Sequence, residues 1–169
     1  PGVIQHIWIT VHHESYRDLI LRMYWDGEDT PSVEAPVGDF FCNGWKKRAN
    51  ILALPINVNP SGGFNCYFAM PFRKRARITV ENRAPKDRDG FFYAVTFARA
   101  AIADDDAQFH AQFRRTNPLA YLSDYTILDG VRGHGMPLDF EAQAFEQHRG
   151  ALPVGRAIAT STTRRKVWA

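Results

Sequence analysis

Asp39 stands in the string VGDFFCNGW, between Gly38 and two phenylalanines. A carboxylate in that setting loses its water unless something hydrogen-bonds to it. It is therefore either a structural acceptor of backbone N–H groups or a polar contact for a ligand hydroxyl. Planar and amide side chains accompany it: Phe40, Phe41 and Trp45 directly after, then Asn65 and Tyr67. Flat aromatic faces with carboxylate and amide partners suit a polyhydroxylated ligand. Asp39, Phe40, Phe41, Trp45, Asn65 and Tyr67 thus form a candidate substrate-binding wall. The plainer alternative is that Phe40, Phe41 and Tyr67 are simply core.

The remaining chemistry-bearing residues point elsewhere. Asp26, Glu28 and Asp29 crowd a turn and read as solvated turn formers, and Asp104, Asp105 and Asp106 read as a solvated loop. The basic string Arg73-Lys74-Arg75-Ala76-Arg77 reads as a loop before a strand rather than a phosphate site. His6 and Trp8 share a strand face, where core packing is the simpler expectation than ligand contact. Six histidines lack the close pair and following Glu of a metal site, and His12-His13-Glu14 would point alternate ways on a strand, so no metal is expected. Cys42 and Cys66 lack a C-x-x-C spacing and read as thiols, although spacing leaves a bridge between them open. Neither a P-loop nor a dinucleotide fingerprint occurs, and no cofactor is expected.

The elements that must position these residues are extended. GVIQHIWITVHH alternates, with Val3, Gln5, Ile7, Ile9 and Val11 on one face and Ile4, His6, Trp8, Thr10 and His12 on the other. Asp26-Gly27 offers the positive-φ positions of a hairpin between LILRMYW and SVEAP. LALPINV, NCYFAMPF, ARITVEN, GFFYAVTFARA, QFHAQFRR and YTILDGV follow, separated by turn-rich strings. In QFHAQFRR, the row His110, Gln112 and Arg114 suits a subunit interface, a solvated face or a pocket edge. About nine short strands around one core predict an all-β fold, an antiparallel jelly roll or β-sandwich.

The composition agrees: 169 residues suit one core, and hydrophobic content of 45% with 13% aromatic suits a folded body. No apolar run approaches the roughly 20 residues of a membrane span, so a soluble chain is expected. Of 21 Lys+Arg and 18 Asp+Glu, five basic and three acidic residues follow Gly135, leaving 16 against 15 before it. A nearly neutral body gives a nucleic-acid partner little support. The chain opens Pro1-Gly2-Val3 without a signal-type apolar segment, and no targeting is read from it.

Several long strings in order resemble one family: PGVIQHIWIT, RMYWDGEDTPSVEAPVGDFFCNGW, NPSGGFNCYFAMPFRKRARITVEN, FHAQFRRTNP and YTILDGVRGHG. Together they resemble the domain of unknown function 2961 family, related to glycoside hydrolase family 172, across roughly residues 1–135. The resemblance implies tandem jelly rolls assembled as homotrimers or homohexamers, a carbohydrate partner, and hydrolysis of fructofuranosyl or arabinofuranosyl linkages. It also implies a catalytic pair of glutamates in Gly-Glu-Gly and Gly-Thr-Glu-Asp strings. Neither string occurs here, so no catalytic residue is assigned and the chain alone is expected to be inactive. A stand-alone carbohydrate-binding or structural jelly roll is the alternative. Residues 136–169 show no family pattern and no consistent period. They read as a poorly ordered tail, from a frame-shifted or truncated reading frame or from a genuine extension.

Overall fold

The structure, a computed structural model, describes residues 1–126 and 128–130 in full and the backbone of 135–145 and 154–163. Its order is β1 (Gly2–Thr10), a 3-10 turn (His13–Ser15), β2 (Leu19–Trp25), β3 (Val33–Pro36) and a single helical turn α1 (Val37–Phe40). Then come β4 (Ile51–Leu52), β5 (Ile56–Val58), β6 (Phe64–Cys66), β7 (Met70–Phe72) and β8 (Ala76–Asn82). β9 (Phe92–Arg99), β10 (Gln108–Thr116), β11 (Gly135–Phe145) and β12 (Val154–Thr163) complete it. Among the described residues no helix is long and apolar enough to cross a membrane.

These strands form two six-stranded sheets facing one another, the expected β-sandwich. In the first sheet β6 and β7 share one edge of β1, beside Ile7–Ile9 and Gly2–Ile4 respectively, and β9 runs along the other edge. β5 and β4 extend the sheet beyond β6. The second sheet runs β11-β12-β10-β3-β2-β8. Asp26 (φ 55°) and Gly27 (φ 95°) turn β2 back towards β3, as the Asp-Gly pair predicted. β3 then pairs in parallel with β10, Val33 opposite Ala111, a contact between strands far apart in the sequence.

The core lies between the sheets. Ile7, Ile9, Val58 and Phe64 project from the first sheet and Leu21, Met23, Trp25, Val33 and Phe109 from the second. Trp25 is fully buried, and its indole Nε1 donates to the Phe109 carbonyl at 2.7 Å, which joins β2 to β10 across β3. A buried indole without such an acceptor would cost about 1–3 kcal/mol. The Cys66 thiol is also buried, which pushes its pKa up to about 12, and it and Cys42 are thiols rather than a disulfide.

Four details depart from the strand pattern. Ile4 was expected opposite Ile7 and Ile9, but it is 3% exposed and belongs to the core. A bulge causes this: Ile4 pairs with Phe97 and His6 with Thr96, so Gln5 is an extra residue that reverses the alternation. LALPINV and NCYFAMPF each divide into two short strands, β4 with β5 and β6 with β7. The described part of YTILDGV is not a strand, because Asp129 pairs with Arg114 of β10 and Gly130 takes φ 68°. Finally, His110 is 1% exposed and no part of a solvated row; burial pushes its pKa down to about 4, so it is neutral near pH 7.

Gly135–Phe145 and Val154–Thr163 are extended and antiparallel to one another, and the second pairs with β10 along its length. The expectation of a poorly ordered tail otherwise falls on 146–153 and 164–169, outside the described residues. On the opposite side of the sandwich, β8 and β9 leave an apolar groove of about 210 Å³ lined by Ile78, Val80, Tyr93 and Val95 with core residues beneath. Tyr93 and Phe97 are correspondingly exposed.

Candidate functional site

The residues that the sequence grouped into one wall occupy three environments. Asp39 lies in α1, directly after β3, and is 3% exposed. Its partner is Arg17, whose Nη2 donates to Oδ1 at 2.7 Å while its Nε donates to the Gly44 carbonyl at 2.9 Å. The turn is possible only because residue 38 is glycine. A Cβ there would lie 2.5 Å from Tyr16 Cβ and 2.8 Å from the Asn43 carbonyl oxygen. The Gly38 N–H donates to the Tyr16 carbonyl at 2.9 Å. Asp39 therefore fastens the loop after β3 to the segment between β1 and β2 through the Arg17 guanidinium.

Phe40 and Phe41 follow into the core. Phe41 stacks on Phe64 with centroids 4.7 Å apart, and Phe40 meets Phe109 edge-on at 6.4 Å. Trp45 lies on the succeeding loop, 41% exposed.

Asn65 and Tyr67 share a neighbour, His6, on the outer face of the first sheet. Trp8 of β1 pairs directly with Asn65 of β6, and the same register sets His6 opposite Tyr67. The His6 and Tyr67 rings stack with centroids 4.6 Å apart and planes 9° from parallel. His6 Nε2 lies 3.1 Å from Asn65 Oδ1, while Asn65 Nδ2 donates to the Gly63 carbonyl at 3.2 Å. The amide is thus oriented from both ends. His6 and Trp8, expected to pack in a core, are half-buried here, because they lie opposite Ile7 and Ile9 on the face of β1 turned away from the other sheet. Tyr67 remains 51% exposed and so offers a ring face to solvent. Two aromatic rings, an indole and an oriented amide on a flat sheet can contact the C–H face and hydroxyls of a sugar.

The other acids and bases are occupied structurally. Asp26 Oδ1 accepts from the backbone amides of Arg73 at 2.8 Å and Lys74 at 2.7 Å, and Oδ2 accepts from Gln108 Nε2 at 2.7 Å. Arg73 Nη2 donates to the carbonyls of Ala103, Asp104 and Asp106, so the basic and acidic loops lock together. The Arg77 guanidinium sits 3.6 Å above the Tyr24 ring. Asp18 pairs with Lys46 and Arg88, and Arg22 holds both Glu34 and Glu81. The hydrogen bonds to Glu34 and Glu81 raise the Arg22 pKa, and those from Arg83 and Arg22 lower that of Glu81. No group of three or more metal-ligating side chains occurs among the described residues.

No curated protein matches the chain. Residues 1–117 match a family model described as the GH172 first beta-sandwich domain.

Proposed function

The chain belongs to the GH172 family through that first β-sandwich domain, and from this premise we propose that it is the sugar-contacting scaffold of a furanoside hydrolase, without the acid pair that cleaves the bond. The observation that carries the proposal is the His6–Tyr67 stack beside the oriented Asn65 amide on an exposed sheet face. Fructofuranosyl or arabinofuranosyl residues are the ligands, as the family resemblance implies.

Retaining hydrolysis needs a nucleophile and an acid/base carboxyl about 5–5.5 Å apart. Support for a non-catalytic role comes from the employment of the less exposed acids: Asp39 by Arg17, Asp18 by Lys46 and Arg88, Asp26 by backbone amides. Each of these carboxylates thus has a structural task in holding loops together. Assembly as a homotrimer or homohexamer belongs to the same proposal, supported by the exposed apolar side chains of β9. So does a boundary near Gly135, since the family match lies wholly before it.

Purified chain incubated with arabinofuranosyl and fructofuranosyl oligosaccharides tests this. The expected result is measurable binding, weakened about tenfold by Tyr67→Ala, with no released monosaccharide. Turnover abolished by Asp39→Ala would overturn it.

A further inference from the structure

At the far end of β1 a separate pocket of about 230 Å³ opens between the ends of the two sheets. That is below the roughly 300 Å³ at which drug-sized sites begin, and it suits one small ring or anion. Thr10, His12, His13 and Ser61 supply polar atoms, Arg48 crosses one wall, and no acidic residue lines the pocket. Arg48 lies so close over Gly62 that a Cβ there would be 2.9 Å from its Cδ, which fixes the stem of the side chain. Among the described residues Arg48 makes no ion pair, while Arg17, Arg22 and Arg88 each hold a carboxylate. The Tyr16 phenol forms the floor; burial raises its pKa and the Arg48 charge opposes that shift. Glu14, 3.8 Å from His12 and largely exposed, and the exposed Asp89, next in the chain to the lining Gly90, are the acids that flank it.

The pocket continues the sugar-facing surface. Thr10 pairs with Phe92 of β9, whose ring is 61% exposed at the rim. Ser61 and Gly62 lead into Gly63, where a Cβ would lie 3.3 Å from Trp8 Nε1. At about 3.3 Å per residue, Thr10 is about 13 Å along the strand from His6.

We propose that this pocket holds the anionic group of an acidic saccharide, a sugar-borne carboxylate or phosphate, against Arg48 with the sugar ring beside Phe92. A guanidinium fork matches the paired oxygens of either group, and the imidazoles and hydroxyls complete their hydrogen bonding. The inference rests on the carbohydrate role proposed for the outer face, which it extends to charged sugars.

The test is titration of the whole chain with glucuronic acid, inorganic phosphate and a neutral arabino-oligosaccharide, followed by calorimetry and by the His12 and His13 ring resonances. Glucuronic acid is expected to bind and to shift both rings, and Arg48→Ala to weaken it about tenfold or more. Arg48→Lys, which keeps the charge and the stem, retains part of the affinity if Arg48→Ala fails to fold. Phosphate binding without glucuronic acid binding would identify the anion as phosphate-borne. Failure of both anions to bind, or equal binding to wild type and Arg48→Ala, would overturn the inference. Unchanged binding of the neutral oligosaccharide in that case would leave the proposed function intact.

Discussion

Replacing Arg17 by Met separates a structural Asp39 from a ligand-binding one. The substitution keeps the aliphatic stem but removes the guanidinium that Asp39, 3% exposed, meets at 2.7 Å. Breaking a buried ion pair by removing one partner costs about 3–5 kcal/mol, because the remaining charge stays desolvated. Arg17 is itself 17% exposed, so water reaches the gap and lowers the cost to about 2–3 kcal/mol. For a chain of this size that is a fall in Tm of about 5–10 °C. Asp39→Asn is expected to lose a similar amount, and the double variant Arg17→Met/Asp39→Asn to lose less than the sum, with a coupling energy of about 1–2 kcal/mol. Urea denaturation followed by circular dichroism measures all three, with oligosaccharide affinity recorded in parallel. Strictly additive losses, or an Asp39→Asn variant of normal stability that no longer binds saccharide, would refute the reasoning.

Gly38→Ala must displace Tyr16 or the Asn43 carbonyl from contacts of 2.5 and 2.8 Å, and is expected to cost about 3 kcal/mol or prevent folding; a normal melting curve would contradict that. The pKa of His110 is depressed from 6.5 to about 4 on folding, so the unfolded chain binds the extra proton first and stability falls as pH drops from about 6.5 to 4. His110→Gln should flatten this part of a stability–pH profile measured by urea denaturation, and an unchanged slope would count against the burial. Lysine at Tyr93 and Phe97, on the exposed β9 stripe, should reduce binding of an apolar dye while changing stability by less than about 0.5 kcal/mol.

Strand content was legible in the sequence because alternation and turn residues are local signals. ARITVEN coincides with β8, and Asp26-Gly27 marks the turn after β2. What escaped is non-local or a single-residue irregularity. The Gln5 bulge reverses the alternation without any change in composition, so Ile4 was read onto the wrong face, while His6 and Trp8 keep the face opposite Ile7 and Ile9 and alternation alone does not say which face is covered. The parallel pairing of β3 with β10 joins strands far apart in sequence, which periodicity does not encode. Asp39 was recognisable as a constrained carboxylate, but its partner lies 22 residues upstream on another element. Of the grouped wall, Asn65 and Tyr67 share a surface because β6 leads from one to the other; Phe40 and Phe41 carry no sequence mark that separates a core ring from a stacking platform. The Arg48 pocket is assembled from four loops and strand ends, and a sequence pattern could not have drawn it together.

The central claim is that the outer face of the first sheet holds furanosyl sugar without cleaving it. Nuclear magnetic resonance during titration with an arabinofuranosyl oligosaccharide observes binding and product at once. The account predicts shifts concentrated at His6, the Trp8 indole, Asn65 and Tyr67, with no free arabinose accumulating. Release of arabinose, or shifts centred on Asp39 with that face unperturbed, would contradict it.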